Sequence, residues 1–239
     1  MHMQTLVMIP TYNERDNLEI LVRRILDLGL DLGIVIIDDN SPDGTGELAD
    51  ALAASDKRIA VVHRPVKEGI GKAYLAGYRY AAGKSDCEYL VQMDADLSHD
   101  PAYIPDLLKK MEGYDFVTGS RYYQGRVRIT NWPLSRLILS YGASLYVRLF
   151  SGLAMSDPTS GLKCFRRKVV ERIVENGIIS DGYASNIEVN YMCKKMGFRT
   201  GEIPIVFYDR SAGSSKMCKL STVLGAIAIV WKLKFKRFR

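Results

Sequence analysis

The chain has 239 residues, 47% hydrophobic and 25% charged, the balance of a globular protein with one sizeable packed domain. Its net charge of +6 invites a nucleic-acid reading, but five basic side chains and no acidic ones fall in the last eight residues, Lys232 to Arg239. The remainder is close to neutral, which argues against nucleic acid and for a short basic, aromatic-bearing tail that meets an anionic membrane surface or is simply solvated.

Four cysteines, Cys87, Cys164, Cys193 and Cys218, form no Cys-x-x-Cys pair. That spacing points to free thiols in a reducing compartment rather than a disulfide frame or a zinc site. No charged-then-apolar leader opens the sequence, so no signal peptide is expected.

Short apolar runs alternate with helical patterns from the start. Thr5–Ile9 reads as a buried strand, and Asn13 as the cap of a helix carrying Leu18, Leu21, Val22, Ile25 and Leu26 at helical spacing. Further strands are predicted at 33–37, 59–62, 89–93 and 116–118, with helices over 48–54, 73–82 and 104–111. Such alternation builds an α/β fold with a mainly parallel sheet. From about Ser135 a long helix, the loop Asp157-Pro-Thr-Ser-Gly161 and short elements follow. The apolar run 223–231 is too short to span a bilayer, which needs roughly 20 residues; with the basic tail it fits an amphipathic helix on a membrane, or equally one packed on the domain or on a second subunit.

Ligands of such sheets bind beyond the carboxyl ends of the strands, and the polar clusters 10–14, 38–43 and 94–96 fall there. Asp94 and Asp96 project to the same side of an extended segment. They suit Mg²⁺ or Mn²⁺ shared with substrate phosphates, or equally a solvated turn with capping acids before Asp100-Pro101. Asp38 and Asp39 read as an Asx-turn or as acceptors for a base or ribose; Tyr12 can stack on a base and Glu14 can bind its exocyclic amine. No Walker A motif, Gly-x-Gly-x-x-Gly or Gly-x-Ser-x-Gly occurs, which weakens ATPase, dinucleotide and hydrolase readings. The three histidines lack metal-ligand spacing, and His99 reads as an outer-layer or capping residue.

Six motifs then occur in order: Pro10-Thr-Tyr-Asn-Glu14, Ile37-Asp-Asp-Asn-Ser-Pro-Asp-Gly-Thr45, Met93-Asp-Ala-Asp-Leu-Ser-His99, Gly119-Ser-Arg-Tyr122, Asn131-Trp-Pro133 and Thr159-Ser-Gly-Leu-Lys163. Jointly they resemble the dolichyl-phosphate mannose synthases and related polyprenyl-phosphate hexosyltransferases of glycosyltransferase family two, over about residues 4–216. The resemblance implies a single GT-A type nucleotide-sugar-binding domain over 1–216, followed by an amphipathic basic tail over 217–239. It implies inverting transfer of mannose from GDP-mannose to a polyprenyl or dolichyl monophosphate, by an enzyme peripheral on the cytoplasmic face of a membrane.

Residue by residue, it puts Pro10, Tyr12, Glu14, Ile37 and Asp39 on the nucleoside. Asp94, Ala95 and Asp96 fall on the diphosphate, with Asp94 and Asp96 holding Mg²⁺ or Mn²⁺. Ser98 departs from the Gln that many members carry as a further metal ligand. Arg121 and Arg210 grip donor or phosphate, Arg136 and Ser140 hold the acceptor phosphate, and Lys216 lies on a closing loop; Asp96, Arg121, Arg136 and Arg210 form the catalytic set. Arg136 is otherwise a helix arginine paired with a surface carboxylate.

The rivals are a family-two enzyme using UDP-glucose, one using a polysaccharide hydroxyl with Asp181 or Glu188 as base, and a non-catalytic nucleotide-sugar-binding subunit. A sugar nucleotidyltransferase should open on a Gly-rich loop, which is missing here.

Overall fold

The computed structural model describes residues 4–84, 86–130, 132–208, 229–236 and 238. A seven-stranded sheet runs β3-β2-β1-β4-β6-β5-β7. Its strands are β1 (Thr5–Thr11), β2 (Leu32–Asp38), β3 (Ile59–His63), β4 (Tyr89–Gln92), β5 (Phe116–Ser120), β6 (Lys163–Arg166) and β7 (Thr200–Pro204). All neighbouring pairs are parallel except those of β6, which lies antiparallel between β4 and β5. The sheet is thus mainly parallel, as the alternation predicts, but an antiparallel strand sits inside it where the sequence reading has only short elements.

Helices cover both faces. Leu6 and Met8 join one apolar cluster with α3 (Ile70–Ala82), α6 (Arg167–Asn176) and α7 (Tyr183–Lys195). Val7 and Ile9 join the other with α1 (Arg15–Leu26), α2 (Thr45–Ser55) and α4 (Ile104–Lys110). A strand buried on both faces needs apolar side chains at odd and even positions alike, which is why β1 and β2 read as unbroken apolar runs. Helix α1 begins one residue later than expected: Glu14 is its N-cap, and Asn13 takes a left-handed turn with φ 60° just before it.

The chain winds from β1 outward to β3 and returns across the sheet to β4, so the ends of β1 and β4 flank a topological switch point, the usual place for a ligand crevice. Helix α5 (Leu134–Ser151) follows the crevice. Residues 229–235 form a further helical stretch whose Ile229, Val230 and Leu233 enter the α3-side core, while Lys236 pairs with buried Glu188 at 2.8 Å. The described part of the tail therefore packs on the domain. Arg210, Lys216 and residues 217–228 lie outside the described residues. Cys87, Cys164 and Cys193 are buried free thiols.

The start of α3 is pressed against the segment before α7: a Cβ on Gly71 would come within 2.1 Å of the Ser180 carbonyl oxygen. Gly71→Ala gains about 0.5–1 kcal/mol of helix propensity but forces backbone apart, at about 1–3 kcal/mol. The expected net outcome is destabilisation by about 1–2 kcal/mol, a fall in Tm of roughly 2–8 °C, read by thermal unfolding.

Candidate active site

Near the carboxyl ends of β1 and β2, Pro10 and Ile37 lie buried side by side in register. Asp38 is occupied by its own turn, accepting from Thr11 Oγ1 at 3.0 Å and from the amide and hydroxyl of Ser41, so the Asx-turn reading describes Asp38. Asp39 points instead to a buried Arg64, whose other arm reaches Glu68 at 2.6 Å. Burial lifts the Asp39 carboxyl above its ordinary value despite that guanidinium. Lys67 Nζ stands 3.3 Å from the centre of the Tyr12 ring, and half-buried Glu14 accepts from Asn17 at 2.9 Å. Lys67 and Arg64 thus bring the 64–68 loop against Tyr12 and Asp39, while Glu14 faces Asn17 at the start of α1. The sequence reading does not single out Arg64 or Lys67.

Beyond β4, Asp94, Asp96, Ser98 and His99 line one pocket with Arg121, Thr159, Ser160, Gly161, Asn186 and Phe207. The end of β4 carries both carboxylates to it, and Ala95 between them is buried. One oxygen of each carboxylate is held by a hydroxyl. Tyr74 donates to Asp94 Oδ1 at 2.6 Å, and Ser98 donates to Asp96 Oδ1 through its hydroxyl at 2.5 Å and its amide at 3.1 Å. Ser98 therefore turns toward Asp96, and Leu97 makes this turn with φ 59°.

His99 is buried, with Nδ1 3.8 Å from Asp94 Oδ2 and its ring edge-on to Phe207. Burial lowers its pKa against the pull of Asp94 and Asp96, so it is neutral above its ordinary value of 6.5. Burial and Asp94 together raise the Tyr74 phenol well above its usual range, which makes it a hydroxyl donor at any working pH.

The 157–161 loop forms a further side of the pocket. Arg121 grips Asp157 with Nε and Nη2 at 2.6 and 2.8 Å, and Nη2 also reaches Thr159 at 2.7 Å. The loop carbonyls of Pro158, Ser160 and Gly161 accept from Asn190, Lys163 and Gln92, each on a different element. Gly161 sits so close to the carboxylate that a Cβ there would be 2.7 Å from Asp94 Oδ2, so its missing side chain keeps that oxygen's surroundings open. Lys163 is fully buried, and burial lowers its pKa to about 7 against the pull of Asp157 and Asp94.

Arg136 and Ser140 lie on the buried side of α5. Trp132 stands between the two arginines, its ring centre 3.9 Å from the Arg136 guanidinium and 5.8 Å from that of Arg121. Ser140 accepts from the Tyr122 hydroxyl at 2.8 Å. Arg136 is thus linked through Trp132 to Arg121 at the pocket, and Ser140 to Tyr122 beside Arg121, whereas Arg210 and Lys216 fall outside the described residues. Asp181 and Glu188 are elsewhere: Asp181 accepts from the Gly71 amide, and Glu188 is fully buried, taking the Ile179 and Ser180 amides and Lys236.

In sequence, the profile described as Glycosyl transferase family 2 matches residues 6–174. An undecaprenyl-phosphate mannosyltransferase of Micrococcus luteus is 40% identical over 215 residues, 90% of this chain and 88% of that one. A polyprenol monophosphomannose synthase of Mycolicibacterium smegmatis is 43% identical over 216 residues, 90% of this chain and 81% of that one. In structure, the fold is similar to glucosyl-3-phosphoglycerate synthase from Mycobacterium tuberculosis, solved in complex with Mn²⁺, uridine-diphosphate-glucose and phosphoglyceric acid. The TM-score is 0.69 at 20% identity, over 96% of this chain and 79% of that one.

The Arg121–Asp157 pair yields a pH-dependent prediction. Burial opposes the charged Asp157, but the charge and hydrogen bonds of Arg121 outweigh it and hold the carboxyl below its ordinary value of 3.8. The stabilisation is complete above that pH and is lost as pH falls through the lowered value. Arg121→Met strands a buried carboxylate, at about 3–5 kcal/mol. The Tm gap between wild type and variant is expected to be wide at pH 7 and to narrow below pH 3.8, measured by calorimetry.

Proposed function

The chain belongs to glycosyl transferase family 2, and we propose that it transfers mannose from GDP-mannose to a polyprenyl monophosphate with inversion at the anomeric carbon. Two relatives named for polyprenyl-phosphate mannosyl transfer align over 90% of the chain, which supports both the sugar and the acceptor.

The observation that carries the lipid acceptor is the inverted sidedness of α5. Its buried face holds Arg136, Ser140, Ser144, Val147 and Ser151, while Leu134, Ile138, Leu145 and Leu149 face outward, Leu149 being 71% exposed. A surface helix normally turns its apolar stripe inward, and a contiguous exposed apolar stripe marks a binding face. The stripe continues through Phe150 to Trp231, whose ring centroids are 6.2 Å apart, and exposed Phe235, Lys232 and Lys234 lie alongside. An anionic bilayer on the cytoplasmic side fits that surface. Among the described residues no helix is long and apolar enough to cross a membrane, in keeping with peripheral contact.

A phosphate acceptor also suits the residues at the site. Its second pKa is about 6, so it reaches the site already largely dianionic and needs positioning rather than a base. Asp181 and Glu188, the carboxylates that a sugar-hydroxyl acceptor would call upon, are engaged elsewhere. Arg136, stacked on Trp132, holds the acceptor phosphate beside Ser140. Tyr12, Glu14 and Asp39 receive the nucleoside, and Arg121 with Asp157 keeps the 157–161 loop against the diphosphate. Arg210 and Lys216 complete the donor grip and the closing loop in this proposal.

The carboxylate pair fits Mg²⁺ or Mn²⁺ by its chemistry: two hard oxygen donors line one pocket, and the space beside Asp94 Oδ2 is kept by Gly161. No cluster of three His, Cys, Asp or Glu side chains forms a metal cage among the described residues, so such an ion takes further ligands from substrate oxygens, as Mg²⁺ commonly does. When bound, it supplies Lewis-acid stabilisation of the departing diphosphate.

In a donor panel assayed against polyprenyl phosphate in detergent, GDP-mannose is the expected substrate, and transfer is expected to stop in EDTA; preference for UDP-glucose would overturn the donor assignment. Arg136→Ala removes a charge-assisted contact worth about 1.5–3 kcal/mol and should raise the acceptor KM or lower the rate by roughly ten- to two-hundred-fold. GDP affinity should be unchanged, measured by calorimetry.

The surface reading predicts that Ile138→Asp with Leu149→Asp releases the protein from anionic vesicles in a flotation assay. Transfer to a short-chain, detergent-soluble acceptor should be retained. Undiminished vesicle binding would exclude this face.

A further inference from the structure

We propose that Tyr74 is a positioning residue for the cation site, its phenol hydroxyl pinning one oxygen of Asp94 so that the other is presented to the pocket. The inference rests on the reading of Asp94 and Asp96 as cation ligands and assigns a role to a residue outside the motif that carries them.

The geometry is a match of two repeats. Tyr74 and Tyr78 lie four residues apart on α3, and both are fully buried. Their hydroxyls reach residues two apart along β4 and its extension: Tyr78 bonds Gln92 Oε1, and Tyr74 bonds Asp94 Oδ1 at 2.6 Å. Four helical residues advance about 6 Å and two strand residues about 6.5 Å, so the two tyrosines fall in step with alternate residues of the strand. A strand presents alternate residues on one face, so the same register that seats Tyr78 on Gln92 delivers Tyr74 to Asp94.

The two bonds have different consequences. Gln92 passes its contact on to the Gly161 carbonyl at 2.9 Å and to Asn186 at 3.1 Å, which frames the back of the pocket. Tyr74 touches the carboxyl group itself, through a short hydrogen bond of 2.6 Å. The phenol ring is packed in the α3-side core. With Oδ1 pinned, Oδ2 is left on the side of His99 and Gly161, where the absent Cβ leaves room. Ser98 does the equivalent for Asp96 from the loop side. A phenylalanine would fill the same core volume, so packing alone does not call for the hydroxyl.

Removing an outer-layer partner of a metal ligand typically lowers metal affinity by roughly ten- to a hundred-fold. The test titrates Mn²⁺ into wild type, Tyr74→Phe and Tyr78→Phe, each with stoichiometric GDP, following the hydrated Mn²⁺ signal by electron paramagnetic resonance against a GDP-only blank. GDP affinity in EDTA and Tm are measured in parallel. Tyr74→Phe is expected to weaken Mn²⁺ binding roughly ten-fold or more while metal-free GDP affinity holds. Tyr78→Phe, which loses a comparable buried bond one turn away, should lower Tm and leave Mn²⁺ affinity within about two-fold. Wild-type Mn²⁺ affinity in Tyr74→Phe, or equal losses in both variants, would overturn the role of Tyr74 and leave the cation reading standing. A wild type that binds no more Mn²⁺ than the blank would overturn the cation reading and this inference with it.

Discussion

Two carboxylates two residues apart in a mostly buried pocket repel one another unless donors and positive charge are brought to them. Four elements supply these here. Helix α3 brings the Tyr74 hydroxyl, the turn after β4 brings Ser98, the residue after β5 is Arg121, and β6 begins on Lys163. The antiparallel strand β6 is the element that makes this possible. By running back between β4 and β5 it places the 157–161 loop beside the strand end that carries Asp94 and Asp96. The loop is then held from several sides, by Arg121, Asn190, Lys163 and Gln92.

Lys163 shows how closely the charges balance. A fully buried ammonium is costly, and its pKa of about 7 reflects burial against the attraction of Asp157 and Asp94. Asp157 lies below its ordinary value because Arg121 outweighs its burial. The loop is therefore anchored by one fully committed ion pair and one lysine that titrates near neutrality. Arg121 lines the pocket itself, whereas Lys163 is buried behind it, and together they fix the shape of the loop.

The sequence makes the strand ends legible because two local signals coincide there: an apolar run stops and acidic residues begin, as at Ile37-Asp38 and Met93-Asp94. Both signals lie within a few residues of chain. Arg64 over Asp39, Tyr74 under Asp94 and Asp157 against Arg121 have sequence separations of 25, 20 and 36 residues, and no periodicity announces them. Tyr74 is hidden for a further reason: at helical spacing with Tyr78 it reads as core, which its ring is, and only its hydroxyl oxygen belongs to the site. The strand β6 is four residues long and carries Lys163 and Arg166 at its ends, so it lacks the apolar signature that exposed β1 and β2. Ser98 was legible as a departure from a glutamine ligand, but its turn back onto Asp96 required the backbone.

Helix α5 shows what periodicity leaves open. A helical repeat in the sequence gives the period but not which face turns inward, and the long helix was legible while its inversion was not. Its outward leucines and isoleucine are each worth about 1.5–3 kcal/mol when fully buried, and exposed Lys232 and Lys234 about 1 kcal/mol each at an anionic surface. Binding of such a face scales with its buried apolar area and is reinforced by attraction to anionic lipid. On the proposed reading, the same helix then solves a geometric problem. A helix is about 10 Å across, so a phosphate held by Arg136 on the inner face lies about one helix diameter from lipid touching Ile138 and Leu149. A polyprenyl chain can span that distance while its tail stays in the bilayer. The polar inner face and the apolar outer face of α5 are thus two requirements of one amphipathic acceptor, and either face alone would fail to bring its phosphate to the sugar.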